Sequence, residues 1–112
     1  MAPAAPAAGG APVVVISKPT NNENVSTKAT YSIEGTVSNA ASIDAIEVWI
    51  NGERNSKYAS LLGTTTPAPD GSWSLVFNPT KYPSTHSNLY VYAHNRSGQE
   101  TVANRELNIT DR

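Results

Sequence analysis

The chain has 112 residues, of which 15% are charged and 38% apolar, and its formal net charge is −1. That balance offers no basic surface to nucleic acid or to an acidic membrane, and no run of about 18 apolar residues is present to span a bilayer. The lack of cysteine excludes a disulfide framework, a Cys-ligated zinc site and a thiol nucleophile. In chain order, the first segment, Ala2–Pro12, has no charged and no large apolar side chain. It cannot fold alone and is expected to be an extended, polyproline-like arm with Gly9-Gly10 as a swivel. Ala2, Pro3, Pro6 and Pro12 are its candidate docking residues for a protein partner. No Lys or Arg follows Met1 and prolines interrupt the apolar stretch, so the segment does not read as a secretory signal. The chain is therefore expected to be either a protein not exported by that route or a piece of a larger exported one.

The remaining 95–100 residues or so suit one domain. Val13-Val14-Val15-Ile16 is β-branched throughout and opens the domain as a strand. Pro19 to Asn24 reads as a turn. Thr30 to Val37 alternates, with Tyr31, Ile33, Gly35 and Val37 on one face. Ile43 to Ile50 is the clearest strand, with Ile46, Val48 and Ile50 on one face and Glu47 and Trp49 on the other. Asn51-Gly52 follows directly and predicts a tight type I′ hairpin turn.

Tyr58 to Thr66 contains the next strand, read as an edge strand stopped by Pro67. Pro69-Asp70-Gly71-Ser72 is a turn. Trp73, Leu75 and Phe77 point inward from the following strand. Asn78 to Asn88 reads as a loop. Leu89 to His94 alternates, with Leu89, Val91 and Ala93 inward, and Asn95 to Gly98 turns the chain. Thr101 to Thr110 is the last strand. Val102 has the opposite parity from Leu107 and Ile109, which predicts a bulge near Asn104. The sum is an all-β, immunoglobulin-like sandwich of about seven antiparallel strands over residues 13–112, with an N-terminal arm over residues 1–12.

Chemistry of bond-breaking is poorly provided for, and the chain is expected not to be an enzyme. His86 and His94 fall in no HxxxH or HExxH spacing, and no Gly-x-Ser-x-Gly elbow occurs. Asp44, Glu47, Asp70, Glu100 and Glu106 are scattered, whereas a glycosidase needs two carboxylates about 5–10 Å apart across a cleft. No cofactor and no metal are expected. The best-placed functional side chains are aromatic. Trp49, Tyr90 and Tyr92 all point away from the core stripes, with His94 and Glu47 beside them. If the third and sixth strands are neighbours, these rings form a candidate platform for a glycan, stacking on sugar faces while the hydroxyls and His94 supply hydrogen bonds. The competing explanation is that exposed aromatics merely stabilise the sheet through cross-strand pairs.

Four segments carry a family resemblance: Ile16-Ser-Lys-Pro19, Tyr31-x-Ile33-x-Gly35, Ile46-x-Val48-x-Ile50-Asn51-Gly52 and Asp70-Gly71-x-Trp73. Together they resemble the immunoglobulin-like repeats of bacterial surface proteins and phage virion proteins. Val91-x-Ala93-x-Asn95-x-x-Gly98 resembles the penultimate strand and turn of fibronectin type III domains. The chain departs from these patterns in lacking the inter-sheet disulfide of antibody domains and in carrying Ser87 where fibronectin-type domains carry a tyrosine. The resemblance implies a non-catalytic module. Such domains act as spacers or adhesion units in secreted bacterial proteins, and as decoration with weak glycan affinity on phage particles. The leading expectation is a phage capsid or tail decoration protein at the virion surface, docked through the arm. The alternatives are an accessory domain of a secreted adhesin or glycan-degrading enzyme, placed extracellularly or on the bacterial cell surface, and a carbohydrate-binding module.

Overall fold

Alternation of apolar and polar residues is carried into the fold strand by strand. The structure, a computed structural model, describes residues 12–81 and 85–110. Eight strands occur among these: β1 (Val14–Lys18), β2 (Glu23–Ser26), β3 (Tyr31–Val37), β4 (Ile43–Ile50), β5 (Ser60–Thr65), β6 (Ser72–Phe77), β7 (Thr85–Asn95) and β8 (Glu100–Thr110). Single 3-10 turns follow β3 and β6, at Ala40–Ser42 and Pro79–Lys81. One sheet has the order β1-β3-β6 and the other the order β2-β8-β7-β4-β5. The sandwich interior is filled by the stripes the alternation selects. Ile33, Ile46, Val48, Ile50, Leu89 and Val91 are fully buried, with Trp73 and Phe77 reaching in from β6.

Gly35, on the central strand of the three-stranded sheet, is hemmed in by both of its neighbours, β1 and β6. It pairs with Trp73 across β3 and β6. A Cβ there would stand 2.0 Å from the Val15 carbonyl oxygen and 2.4 Å from the Trp73 ring, so only a hydrogen fits.

Several expectations need correction. Among the described residues the strands number eight where about seven are expected, and the one that the pattern does not announce is β2, Glu23–Ser26, inside a stretch dominated by turn formers. Its pairing with β8 is parallel, from Glu23↔Leu107 to Ser26↔Thr110, so the sandwich is not wholly antiparallel. β7 starts at Thr85, inside the segment expected to be loop. The bulge expected near Asn104 is absent. The β7–β8 ladder runs without a register shift from Thr85↔Ile109 to His94↔Glu100, and Val102 simply lies on the outer face, 50% exposed. A lone apolar residue on a surface requires no bulge to explain it.

Asn51 and Gly52 both take positive φ, 71° and 144°, as the turn signal predicts. The connection from β4 to β5 is nonetheless residues 51–59 rather than a two-residue turn, since Ile50 pairs with Ser60. Asn51 is held by other elements: its N–H donates to the Asn88 carbonyl at 3.0 Å and its Oδ1 accepts from the Ser87 hydroxyl at 2.6 Å. Pro12, read as the last residue of the arm, is fully buried in the sandwich, and its carbonyl accepts a 2.6 Å hydrogen bond from the Thr101 hydroxyl. It is therefore part of the domain and not available for docking. Ala2, Pro3 and Pro6 lie outside the described residues.

Candidate functional site

The register of the five-stranded sheet decides which outward side chains meet. Trp49 is opposite Tyr90 on β7 and Leu61 on β5, and Tyr90 is opposite Asn104 on β8. Leu61, Trp49, Tyr90 and Asn104 thus form one row across four strands. The next row is Thr64, Glu47, Tyr92 and Val102, and beyond it His94 faces Ala45 and Glu100. The structure therefore brings Trp49, Tyr90, Tyr92 and His94 together on one face, in neighbouring rows.

These four residues do not have equal access to solvent. Loop 51–59 folds back over the sheet, tightened by the Ser56 N–H and hydroxyl, which both donate to the Glu53 carbonyl. It brings Arg54 onto the second row. The Arg54 backbone N–H donates to the Tyr92 hydroxyl at 2.9 Å, and its guanidinium carbon lies 4.4 Å from the centre of the Tyr92 ring, a cation–π distance. Nη1 donates to Glu47 Oε1 at 3.2 Å and to Glu100 Oε2 at 2.8 Å, and Nη2 donates to Glu100 Oε1. This is the planar, two-pronged grip that guanidinium makes on carboxylate. Tyr92 is 9% exposed as a result.

The charges follow from these contacts. Burial pushes the Glu47 carboxyl up, but hydrogen bonds from Trp49 and Arg54 and the charges of Arg54 and His94 outweigh it and hold the group below its ordinary value. The hydrogen bond to Glu100 is the first reason that the Arg54 guanidinium is held charged more firmly than usual. His94 Nδ1 stands 3.6 Å from Asp44 Oδ2 and Nε2 stands 3.7 Å from Glu47 Oε2, longer than hydrogen bonds.

The first row differs. Trp49 and Tyr90 are half-buried and Leu61 is 49% exposed. The Trp49 indole N–H donates to Glu47 Oε1 at 3.1 Å, which fixes the ring beside Tyr90. Among the described residues, no side-chain hydrogen bond engages the Tyr90 hydroxyl or the amides of Asn88 and Asn104.

At the far end of the same face, His86 Nδ1 lies 2.9 Å from Asn108 Oδ1 and Nε2 lies 2.7 Å from Glu106 Oε1. The bond to Asn108, then that to Glu106, raises the His86 pKa above its ordinary value.

Sequence reasoning missed Arg54, Leu61 and Asn104 as members of this face. Arg54 follows the turn signal by two residues, but its partner Glu100 is 46 residues away. Leu61 joins the row through a register shift between Val48 and Trp49, which alternation alone does not show. Asn104 falls at the expected bulge, and only the unbroken β7–β8 ladder places it opposite Tyr90.

Among the described residues, no group of three or more His, Cys, Asp or Glu side chains could hold a metal ion, and no helix is long and apolar enough to cross a membrane. An open depression of about 550 Å³ lies over the three-stranded sheet and the residues after β5. Its lining is rich in hydroxyls, including Ser17, Thr36, Thr65 and Ser72, and Glu34 is the one carboxylate among its described lining residues. It does not present the two facing carboxylates of glycoside hydrolysis.

Residues 12–91 match the family model of the bacterial Ig domain. No curated protein matches the chain in sequence closely enough to count as a relative. Among solved structures, the chain is similar to an endo-β-1,4-mannanase from Thermotoga petrophila, at 11% identity and a TM-score of 0.66, covering 92% of this chain and 20% of that one. It is also similar to the fibronectin(III)-like modules of Clostridium thermocellum CbhA, at 14% identity and a TM-score of 0.64, covering 90% and 47%. A third similar structure is an LPMO from Kitasatospora papulosa, at 11% identity and a TM-score of 0.63, covering 82% and 52%. The chain spans between a fifth and about half of the length of these proteins. At such identities the likeness is one of fold, and the fold is an immunoglobulin-like β-sandwich.

Proposed function

We propose that this chain, which belongs to the bacterial Ig domain family, serves as a non-catalytic accessory module joined in line to other parts of a secreted or surface-attached bacterial protein. The observation that carries the reading is where the chain enters and leaves the sandwich. The Pro12 carbonyl is bonded to Thr101, at the start of β8. Thr110 lies nine residues further along the same uninterrupted strand, where its carbonyl accepts from the Thr27 N–H. An extended strand of that length separates the two points by about 30 Å. Entry and exit are therefore at opposite ends, the arrangement a spacer needs.

The family match supports this reading, as do the fibronectin(III)-like modules and polysaccharide-directed enzyme among the similar structures. The expectation of a virion decoration protein ranks behind it, because the family model that matches is that of a bacterial domain. Fold alone does not assign function, so the test is physical location. Peptides of this domain are to be sought by mass spectrometry in the culture secretome and cell-wall fraction, and in purified phage particles. The reading expects them within a longer secreted or surface-bound polypeptide. Their recovery from virions as a free-standing chain would overturn it.

A further inference from the structure

We propose that the row Leu61–Trp49–Tyr90–Asn104 is a binding platform for an uncharged polysaccharide, laid across β5, β4, β7 and β8. This rests on reading the chain as an extracellular module, where such polymers are met.

The row has the right extent. Neighbouring strands are about 4.8 Å apart, so four aligned side chains span roughly 15 Å, the length of two to three sugar rings. It has the right mixture of groups. The indole, the phenol ring and the Leu61 methyls offer flat apolar surface for the C–H faces of pyranose rings. Around them, the Tyr90 hydroxyl and the amides of Asn104 and of Asn88, next along β7, have donors and acceptors that no other described side chain uses. Trp49 is already held by its N–H bond to Glu47, so ordering it costs little on binding.

Charge selects the polymer class. Glu47 and Glu106 lie on the two neighbouring rows and Glu100 one row beyond Glu47, and the Arg54 guanidinium is closed by Glu47 and Glu100. A polyanion would meet carboxylates on both sides of the row, and nucleic acid would find few of the phosphate contacts it requires. A neutral glycan meets neither obstacle. Tyr92, grouped by parity with the platform, belongs to its scaffold, and His94 lies two rows from it. The Tyr92 ring is capped by Arg54 and its hydroxyl accepts the Arg54 N–H.

The test is affinity electrophoresis of the whole chain through gels containing galactomannan, xyloglucan, mixed-linkage β-glucan or starch, with polygalacturonate as the anionic probe. Retardation by at least one neutral polymer is expected. Trp49→Ala should weaken it about tenfold or more, and Asn104→Ala, an exposed change that leaves the core untouched, several-fold. Val76→Ser, on the other sheet and 68% exposed, should leave it unchanged. Melting curves identify any variant that fails to fold, and in that case Asn104→Ala decides. No retardation by any neutral polymer, equal retardation of folded Trp49→Ala or Asn104→Ala, or stronger retardation by polygalacturonate would each overturn the platform. A domain found in secreted multidomain proteins that binds no polymer removes this inference and leaves the module reading intact. Binding by a chain found only on virions does the reverse.

Discussion

Tyr90 and Tyr92 are two residues apart on β7, point the same way, and live in different surroundings. Tyr92 is covered by Arg54 and has its hydroxyl satisfied, with Arg54 in turn tied to Glu47 in the same row and to Glu100 in the next. Tyr90 is half-buried between Trp49 and Asn104, with its hydroxyl unengaged by described side chains. One row is closed by its own loop, and the next is left with apolar surface and spare hydrogen-bonding capacity. The contrast shows that outward direction on a strand does not by itself make an aromatic residue available. A loop returning from the end of the neighbouring strand decides which ring is presented.

The largest expected effect that tests this contrast is on Tyr92. Tyr92→Ala should cost about 3 kcal/mol, as for other buried aromatic truncations, measured by urea unfolding. Tyr90→Ala should cost no more than about 1 kcal/mol, and equal costs would abolish the distinction between the rows. Next comes the loop's own anchor. Arg54→Ala should cost about 1–2 kcal/mol, the sum of a cation–π contact and a partly exposed ion-pair network. Arg54→Lys should restore less than half, because an ammonium cannot reproduce the two-pronged grip.

A smaller effect comes from acid. Glu47 is held below its ordinary value of 4.5, so its contribution is complete above that pH and fades as pH falls through the folded-state value. The stability gap between the native chain and Arg54→Ala should accordingly narrow below pH 4.5. The smallest concerns the exposed His86 at the far end of the face. Its pKa is raised above 6.5, so its stabilisation is complete below 6.5 and is lost as pH rises through the folded-state value. Relative to His86→Gln, the melting temperature of the native chain should fall as pH climbs past 6.5. A parallel course for the two proteins would show that the contacts to Asn108 and Glu106 contribute nothing measurable.

Much of the architecture was legible because burial on one face imposes a period of two. β4 begins and ends where the alternation of Ile43 to Ile50 says it should, and the inward sets of β6 and β7 are those the pattern selects. β2 was not legible. It has four residues, one of them fully buried (Val25), among Asn, Glu and Thr that favour turns, and it is held by a parallel pairing with a strand more than 80 residues away. The face itself was half legible. Parity placed Trp49, Tyr90 and Tyr92 together, but Arg54 reaches Tyr92 only because the 51–59 loop folds back, and that path depends on Asn51 being tied to Ser87 and Asn88 across the sheet. Contacts of this kind are set by three-dimensional closure and leave no local period.

The placement of Pro12 beside Thr101 has a mechanical consequence. Tension applied to the two ends of the domain runs along the direction of β1 and β8. The ladders joining β1 to β3, and β8 to β2 and β7, would then be dragged lengthwise, with many bonds sharing the load at once, instead of being peeled open singly. A domain loaded this way is expected to yield late and abruptly when pulled from Pro12 and Thr110.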